Sequence, residues 1–176
     1  MKIGRDEMRG RRNRQIEAEL QRTLDEGGNV WAIGDVHGYA DTLLALLDSL
    51  NLSSRDRVVL LGDLVDRGPR SCEVIRIARE NPQIFCVLGN HEEMMLNSFD
   101  VDNIETMTAQ QTNWFYVGGR DTNQSYIDEF TNSQGDIDDF DLRMRVGKDL
   151  AWLDSLPHHI VLDDFRLVHA GYSPWE

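Results

Sequence analysis

Three short apolar runs alternate with helix-period segments between residues 30 and 89. Val30-Trp31-Ala32-Ile33 is an apolar run closed by Gly34, which has the length and boundary of a buried strand. Leu43, Leu46, Leu47 and Leu50 follow at helical spacing, with Asp41 where an N-cap belongs. Arg57 to Leu61 reads as a second strand, again ending in glycine. Pro69 then suits the first turn of a helix with Val74, Ile77 and Ala78 on its inward face, stopped at Asn81-Pro82. Gln83 to Leu88 is a third strand, ending in Gly89. Strand, glycine, polar turn and helix in repetition predict parallel α/β structure with right-handed crossovers. Ligands gather at the carboxyl ends of such strands.

The flanks follow other patterns. Ile16, Leu20 and Leu24 recur at four-residue steps before Gly27-Gly28, which predicts an N-terminal helix. Residues 1–28 form a basic arm, expected to lie as a solvated helix on the acidic surface of the rest. Residues 97–141 hold ten acidic residues and one basic residue, Arg120, with Trp114-Phe115-Tyr116 just before Gly118-Gly119. This predicts a mostly helical, acidic insertion at about 97–150 within a domain spanning 29–176. Leu150, Leu153 and Leu156 continue the helical period to Pro157, and His159–Leu162 and Phe165–His169 predict a hairpin around Asp163-Asp164.

Composition narrows the function. Eighteen Lys and Arg against 31 Asp and Glu give a formal charge of −13, which disfavours a nonspecific grip on nucleic acid. Phosphate chemistry on such a chain needs local cations or metals. No apolar run approaches the ~18–20 residues of a membrane span. Cys72 and Cys86 lack a metal-site or redox spacing and read as buried, reduced thiols of a cytoplasmic protein.

The candidate chemistry sits at the predicted strand ends. These are Gly34-Asp35-Val36-His37-Gly38, Gly62-Asp63-Leu64-Val65-Asp66-Arg67-Gly68 and Gly89-Asn90-His91-Glu92, with His169-Ala170-Gly171 after the hairpin. Asp35 and His37, two apart on extended backbone, are expected to point the same way as half of a metal site. Asp63 and Asn90 occupy the equivalent places on the next two strands. A carboxylate able to bridge, with ligands on either side, suits a pair of metal ions.

The three glycine-bounded segments resemble the signature motifs of the phosphoprotein phosphatase family of binuclear metallophosphoesterases. From about residue 30 onward the chain is similar to its compact bacterial and phage-type serine/threonine branch. The resemblance implies a calcineurin-like fold, a β-sandwich core flanked by helices. It implies two divalent ions, Mn²⁺ first with Fe or Zn²⁺ as alternatives, and in-line attack on phosphorus by a metal-bridging hydroxide. By position, Asp35 and His37 would bind the first metal, Asp63 would bridge, and Asn90 and His169 would bind the second. His91 would protonate the leaving oxygen, held by Asp66, while Arg67 and Asn90 would contact the phosphate.

Symmetrical dinucleoside polyphosphate hydrolases typically lack an aspartate at position 66 and read Asn-His-Asp in the third motif, so Asp66 and Glu92 favour a phosphorylated protein or small phosphomonoester as substrate. The family normally adds one further histidine ligand and an arginine beyond the His169 segment, where this chain reaches Pro174-Trp175-Glu176. The expectation is therefore a fold incomplete at its C-terminus. His158 and His159 are expected to be structural. The alternatives are a dinucleoside polyphosphate hydrolase and a catalytically weak binding or regulatory fragment.

Overall fold

The computed structural model describes residues 10–99 and 104–171. Lys2, Arg5 and Arg9 of the basic arm, Asp100 and Asp102 of the acidic segment, and Pro174-Trp175-Glu176 lie outside them. Three strands, β1 (Val30–Ile33), β2 (Arg57–Leu60) and β3 (Ile84–Cys86), form a parallel sheet in that order. Val30 pairs with Arg57 and Val58 with Ile84. Helices α2 (Ala40–Ser49) and α3 (Ser71–Glu80) connect them. Helix α4 (Asn90–Ser98) follows β3, then α5 (Ile104–Trp114), a wide turn over Phe115–Gly119, α6 (Arg120–Glu129) and α7 (Asp139–Asp154). An antiparallel hairpin, β4 (His159–Val161) and β5 (Arg166–Val168), comes next.

Alternation along the strands sorts the side chains into two cores. Val58, Leu60, Ile84 and Cys86 face the helical side, where they meet Leu43, Val74, Ile75, Met95, Trp114 and Leu153. Val59 and Val87 face the other way and pack on Ile160 and Leu162 of the hairpin segment. The expected sandwich is this second interface, between the parallel sheet and the β4–β5 sheet. Helices α5, α6 and α7 fill the stretch between α4 and β4.

Several local expectations are corrected. Helix α2 begins at Ala40, with Tyr39 at its cap, and Asp41 instead ion-pairs with Arg70. Helix α3 starts at Ser71, so Pro69 ends the preceding loop, whose left-handed residues delay the first helical turn. Leu46 is exposed although it shares the helical period of buried Leu43, because α2 touches the core along a narrow line.

The N-terminal helix departs most from expectation. Helix α1 (Arg14–Asp25), capped by the Asn13 side chain, is part of the core. Leu20 is fully buried against Val59, Val87, Ile160 and Leu162. Its charges are spent locally: Arg12 and Arg14 both pair with buried Glu17, which also accepts the Val161 N–H at 3.0 Å. Burial opposes charge on Glu17, but the hydrogen bonds from Arg12 and Val161 outweigh it and hold the carboxyl below its ordinary range. His158 and His159 belong to this corner too. The Arg11 carbonyl accepts the His158 N–H at 2.8 Å, and the ring edges of both lie against Gly10.

Buried charge ties the helical segment to the core. Asp149 of α7 is fully buried and meets Arg79 of α3, Arg145 of α7 (2.8 Å) and the Tyr126 hydroxyl of α6 (2.8 Å). Arg145 also reaches the Cys72 carbonyl. Cys72 and Cys86 are buried free thiols, and burial pushes Cys72 up to about 12.

Since Leu20 joins the hairpin to the sheet, Leu20→Ala should destabilise the chain by about 2–5 kcal/mol in urea unfolding. A loss within the ~0.5 kcal/mol typical of surface substitutions would mean that α1 is peripheral.

Candidate metal centre

Each parallel strand ends in a turn, and the turns meet at one edge of the sheet. Asp35 and His37 follow β1, Asp63 to Arg67 follow β2, and Asn90 to Glu92 open α4 after β3. His169 follows β5 from the other sheet.

The local backbone is unusual. His37 (φ 46°), Asp63 (51°), Asp66 (73°) and Arg67 (67°) are all left-handed, a conformation non-glycine residues rarely adopt. His37 is therefore not on extended backbone as expected. The strand stops at Ile33, and the left-handed turn at His37 brings its imidazole back over Asp63. Backbone hydrogen bonds fix this turn: the Asp63 carbonyl accepts the N–H groups of Val36 (3.0 Å) and His37 (2.8 Å). Gly62 sits at φ 92°, and a Cβ there would lie 2.7 Å from the Gly89 Cα. Only glycine lets these two turns touch.

Glu92 holds the turns together. Its carboxylate is fully buried and accepts four backbone N–H groups. Asp63 (2.8 Å) and Gly89 (2.9 Å) bond Oε2, and Leu64 (2.8 Å) and Val65 (3.2 Å) bond Oε1. Burial, with the Asp63 charge beside it, pushes the Glu92 carboxyl up to about 7, and the N–H groups work in the opposite sense. Reaching back to Gly89, Glu92 also caps α4. Its clamp role was available from its place three residues after the strand-ending glycine.

Two donor clusters share Asp63. His37, Asp63 and His91 form one, and Asp35, Asp63 and His169 the other, each with its ligand atoms within 4.8 Å of one another. The expected pair, Asp35 and His37, also stays together across the two clusters. Asp35 lies between the clusters, 3.7 Å from His37 Nε2 and 4.0 Å from His169 Nδ1. Asn90 joins the second cluster through Oδ1, 2.8 Å from His169 Nε2.

The donor chemistry fits cations. His37 Nδ1 donates to the Val65 carbonyl and His169 Nδ1 to the Leu61 carbonyl, both at 2.8 Å. A carbonyl can only accept, so each ring carries its proton on Nδ1 and turns Nε2 inward, as in metal-binding histidines. His169 Nε2 thus faces Asn90 Oδ1 and, at 3.3 Å, Asp63 Oδ1. Three acceptors facing one another in this way suit a cation, a metal ion or a proton on Nε2.

Asp66 and Arg67 complete the floor. His91 Nδ1 donates to Asp66 Oδ2 at 2.6 Å, and its ring stands edge-on to His37 at 4.8 Å. Arg67 spans the two imidazoles, 2.6 Å from His37 Nε2 and 3.0 Å from His91 Nε2. All the motif residues converge, while His158 and His159 lie elsewhere.

The family model for calcineurin-like phosphoesterases matches residues 28–175. The chain belongs to this family. Among curated relatives it is 33% identical over 101 residues to serine/threonine-protein phosphatase 2 of Escherichia coli, covering 57% of this chain and 46% of that one. It is 48% identical over 69 residues to the symmetrical bis(5'-nucleosyl)-tetraphosphatase of Paracidovorax citrulli, covering 38% of this chain and 25% of that one. The matched part thus spans less than half of each relative. A solved structure described as a candidate diadenosine tetraphosphatase superposes with a TM-score of 0.51 at 23% identity, covering 85% of this chain and 57% of that one, which supports the fold. No helix among the described residues is long and apolar enough to cross a membrane.

Glu92→Gln keeps the size but turns two of the four N–H groups onto an amide NH₂. Hydrogen bonds to a charged group contribute about 1.5–3 kcal/mol each, so stability in urea should fall by at least about 2 kcal/mol. An unchanged unfolding midpoint would show that the clamp is dispensable.

Proposed function

We propose that this chain carries the centre of a metal-dependent phosphomonoester hydrolase acting on phosphoserine and phosphothreonine in proteins. The observation that carries the reading is Asp63, one buried carboxylate common to two clusters of nitrogen and oxygen donors. Asp35, His37, Asp63, Asn90 and His169 would hold two divalent cations. Their oxygen and imidazole chemistry suits Mn²⁺, with Fe or Zn²⁺ as alternatives. Such ions supply an activated water and neutralise charge on the phosphoryl oxygens.

The remaining residues do the positioning and the proton transfer. Arg67 presents a planar fork between His37 and His91, suited to two phosphoryl oxygens at once. His91, with Nδ1 fixed on Asp66, accepts from Arg67 at Nε2 in this arrangement. Once Arg67 turns to the phosphoryl oxygens, Nε2 is freed to take up the proton that passes to the leaving oxygen. Asp66 stabilises the imidazolium needed for that transfer. The Asp66–His91 contact supports a monoester substrate, since the oxygen of a serine or threonine leaves poorly without a proton. The second reading, hydrolysis of dinucleoside polyphosphates, rests on the local similarity to the symmetrical tetraphosphatases. Turnover of a phosphothreonine peptide against diadenosine tetraphosphate separates the two.

After chelation, activity should return with Mn²⁺, and Asp63→Asn should lose both metal equivalents together. One full equivalent retained would show that Asp63 does not bridge. His91→Asn should keep its metal and lose ~10²–10⁴-fold in turnover on esters with poor leaving groups. The defect should shrink on p-nitrophenyl phosphate, whose leaving group needs little proton assistance. Equal defects would assign His91 to the metal instead.

A further inference from the structure

Asp66 is fully buried, and its carboxylate has more partners than the His91 contact requires. Trp114 Nε1 donates to both oxygens at 3.0 Å. The Thr122 hydroxyl donates to Oδ1 at 2.7 Å. The same hydroxyl accepts the Asp66 backbone N–H at 2.8 Å, a proton shared with Ser71 Oγ at 3.1 Å. Thr122 therefore closes a ring through the Asp66 N–H and its own carboxylate, which fixes the Asp66 side-chain torsion. Every partner of the carboxylate is a donor, so both oxygens act purely as acceptors and His91 must supply a proton from Nδ1.

Both donors come from the helical segment, more than 45 residues along the chain. Trp114 ends α5 and Thr122 lies in the first turn of α6, on either side of the wide turn. Gly118 kinks that turn at φ 126°, and its carbonyl accepts the Arg67 N–H at 3.3 Å. A Cβ at Gly118 would lie 2.9 Å from the Arg67 nitrogen and 3.2 Å from the Asp66 Cβ. The kink lets the segment close onto Asp66 and Arg67 from below.

We infer that Trp114 and Thr122 are positioning residues that set the His91 ring for proton donation by orienting the Asp66 carboxylate. The inference rests on the phosphomonoesterase reading for its kinetic consequence, though not for its geometry. A carboxylate freed from these donors can rotate, and the imidazole it anchors turns with it. Removing such supporting hydrogen bonds costs about 10- to 100-fold in comparable sites.

The test uses Trp114→Phe, which removes a donor, and Thr122→Val, which removes the hydroxyl that donates to the carboxylate and accepts the Asp66 N–H. Both keep most of the buried volume and are made in the full chain loaded with Zn²⁺. Turnover of phenyl phosphate should fall about 10- to 100-fold with KM and metal content unchanged, and the defect should shrink on p-nitrophenyl phosphate. Thr122→Ser, which keeps the hydroxyl, should restore the phenyl phosphate rate. In nitrogen-15-labelled protein the downfield His91 Nδ1–H resonance should shift in both variants and return in Thr122→Ser. Equal losses on the two esters, or an unmoved resonance, would overturn the inference. If the unsubstituted chain hydrolyses neither ester, the functional reading fails and the resonance alone decides the positioning role.

Discussion

The grip of the Glu92 carboxylate on four backbone N–H groups is the constraint from which the site follows. A buried carboxylate without partners would cost several kcal/mol. These N–H groups, left behind by the end of β2 and the start of α4, would be equally costly unpaired. Meeting each other solves both problems and locks two strand ends into one rigid edge. Left-handed backbone at His37, Asp63, Asp66 and Arg67 costs about 1–3 kcal/mol at each residue, and a floppy loop would relax it. Pinned by Glu92, the second turn keeps Asp63 aimed between two imidazole clusters. The bond from the His91 N–H to Asp63 Oδ1, at 3.1 Å, then aligns that carboxylate.

Support from further away has the same character. The helical segment does more than cover the core: through Trp114 and Thr122 it meets Asp66, and through Gly118 it meets Arg67. Asp149 holds that segment in place by joining α3, α6 and α7. On the opposite face, α1 and the hairpin bury Val59 and Val87, which steadies β2 and β3 behind the turns that carry the chemistry.

Much of the centre was legible because glycine and polar residues punctuate short apolar runs, and a parallel sheet must place those punctuation points on one edge. Asp35, His37, Asp63 and Asn90 could be read that way, while the roles of His91 and His169 came from the resemblance alone. Backbone hand could not. Asp35 and His37 looked like strand residues because spacing of two suggests extension, whereas the Asp63 carbonyl bends that stretch into a turn. Trp114 and Thr122 carry no spacing signal toward Asp66, since their approach depends on a kink over forty residues away. The aromatic cluster before Gly118-Gly119 was the available hint. Arginines in the N-terminal arm suggested a surface helix, but Leu20 decides its place, and one apolar residue in a charged helix is a faint signal.

The most direct measurement is X-ray diffraction from crystals grown with Mn²⁺, with anomalous data collected at the manganese edge. The account predicts two anomalous peaks, both in contact with Asp63, one adjoining His37 and the other adjoining Asn90 and His169. A single peak, or two peaks of which only one touches Asp63, would contradict it.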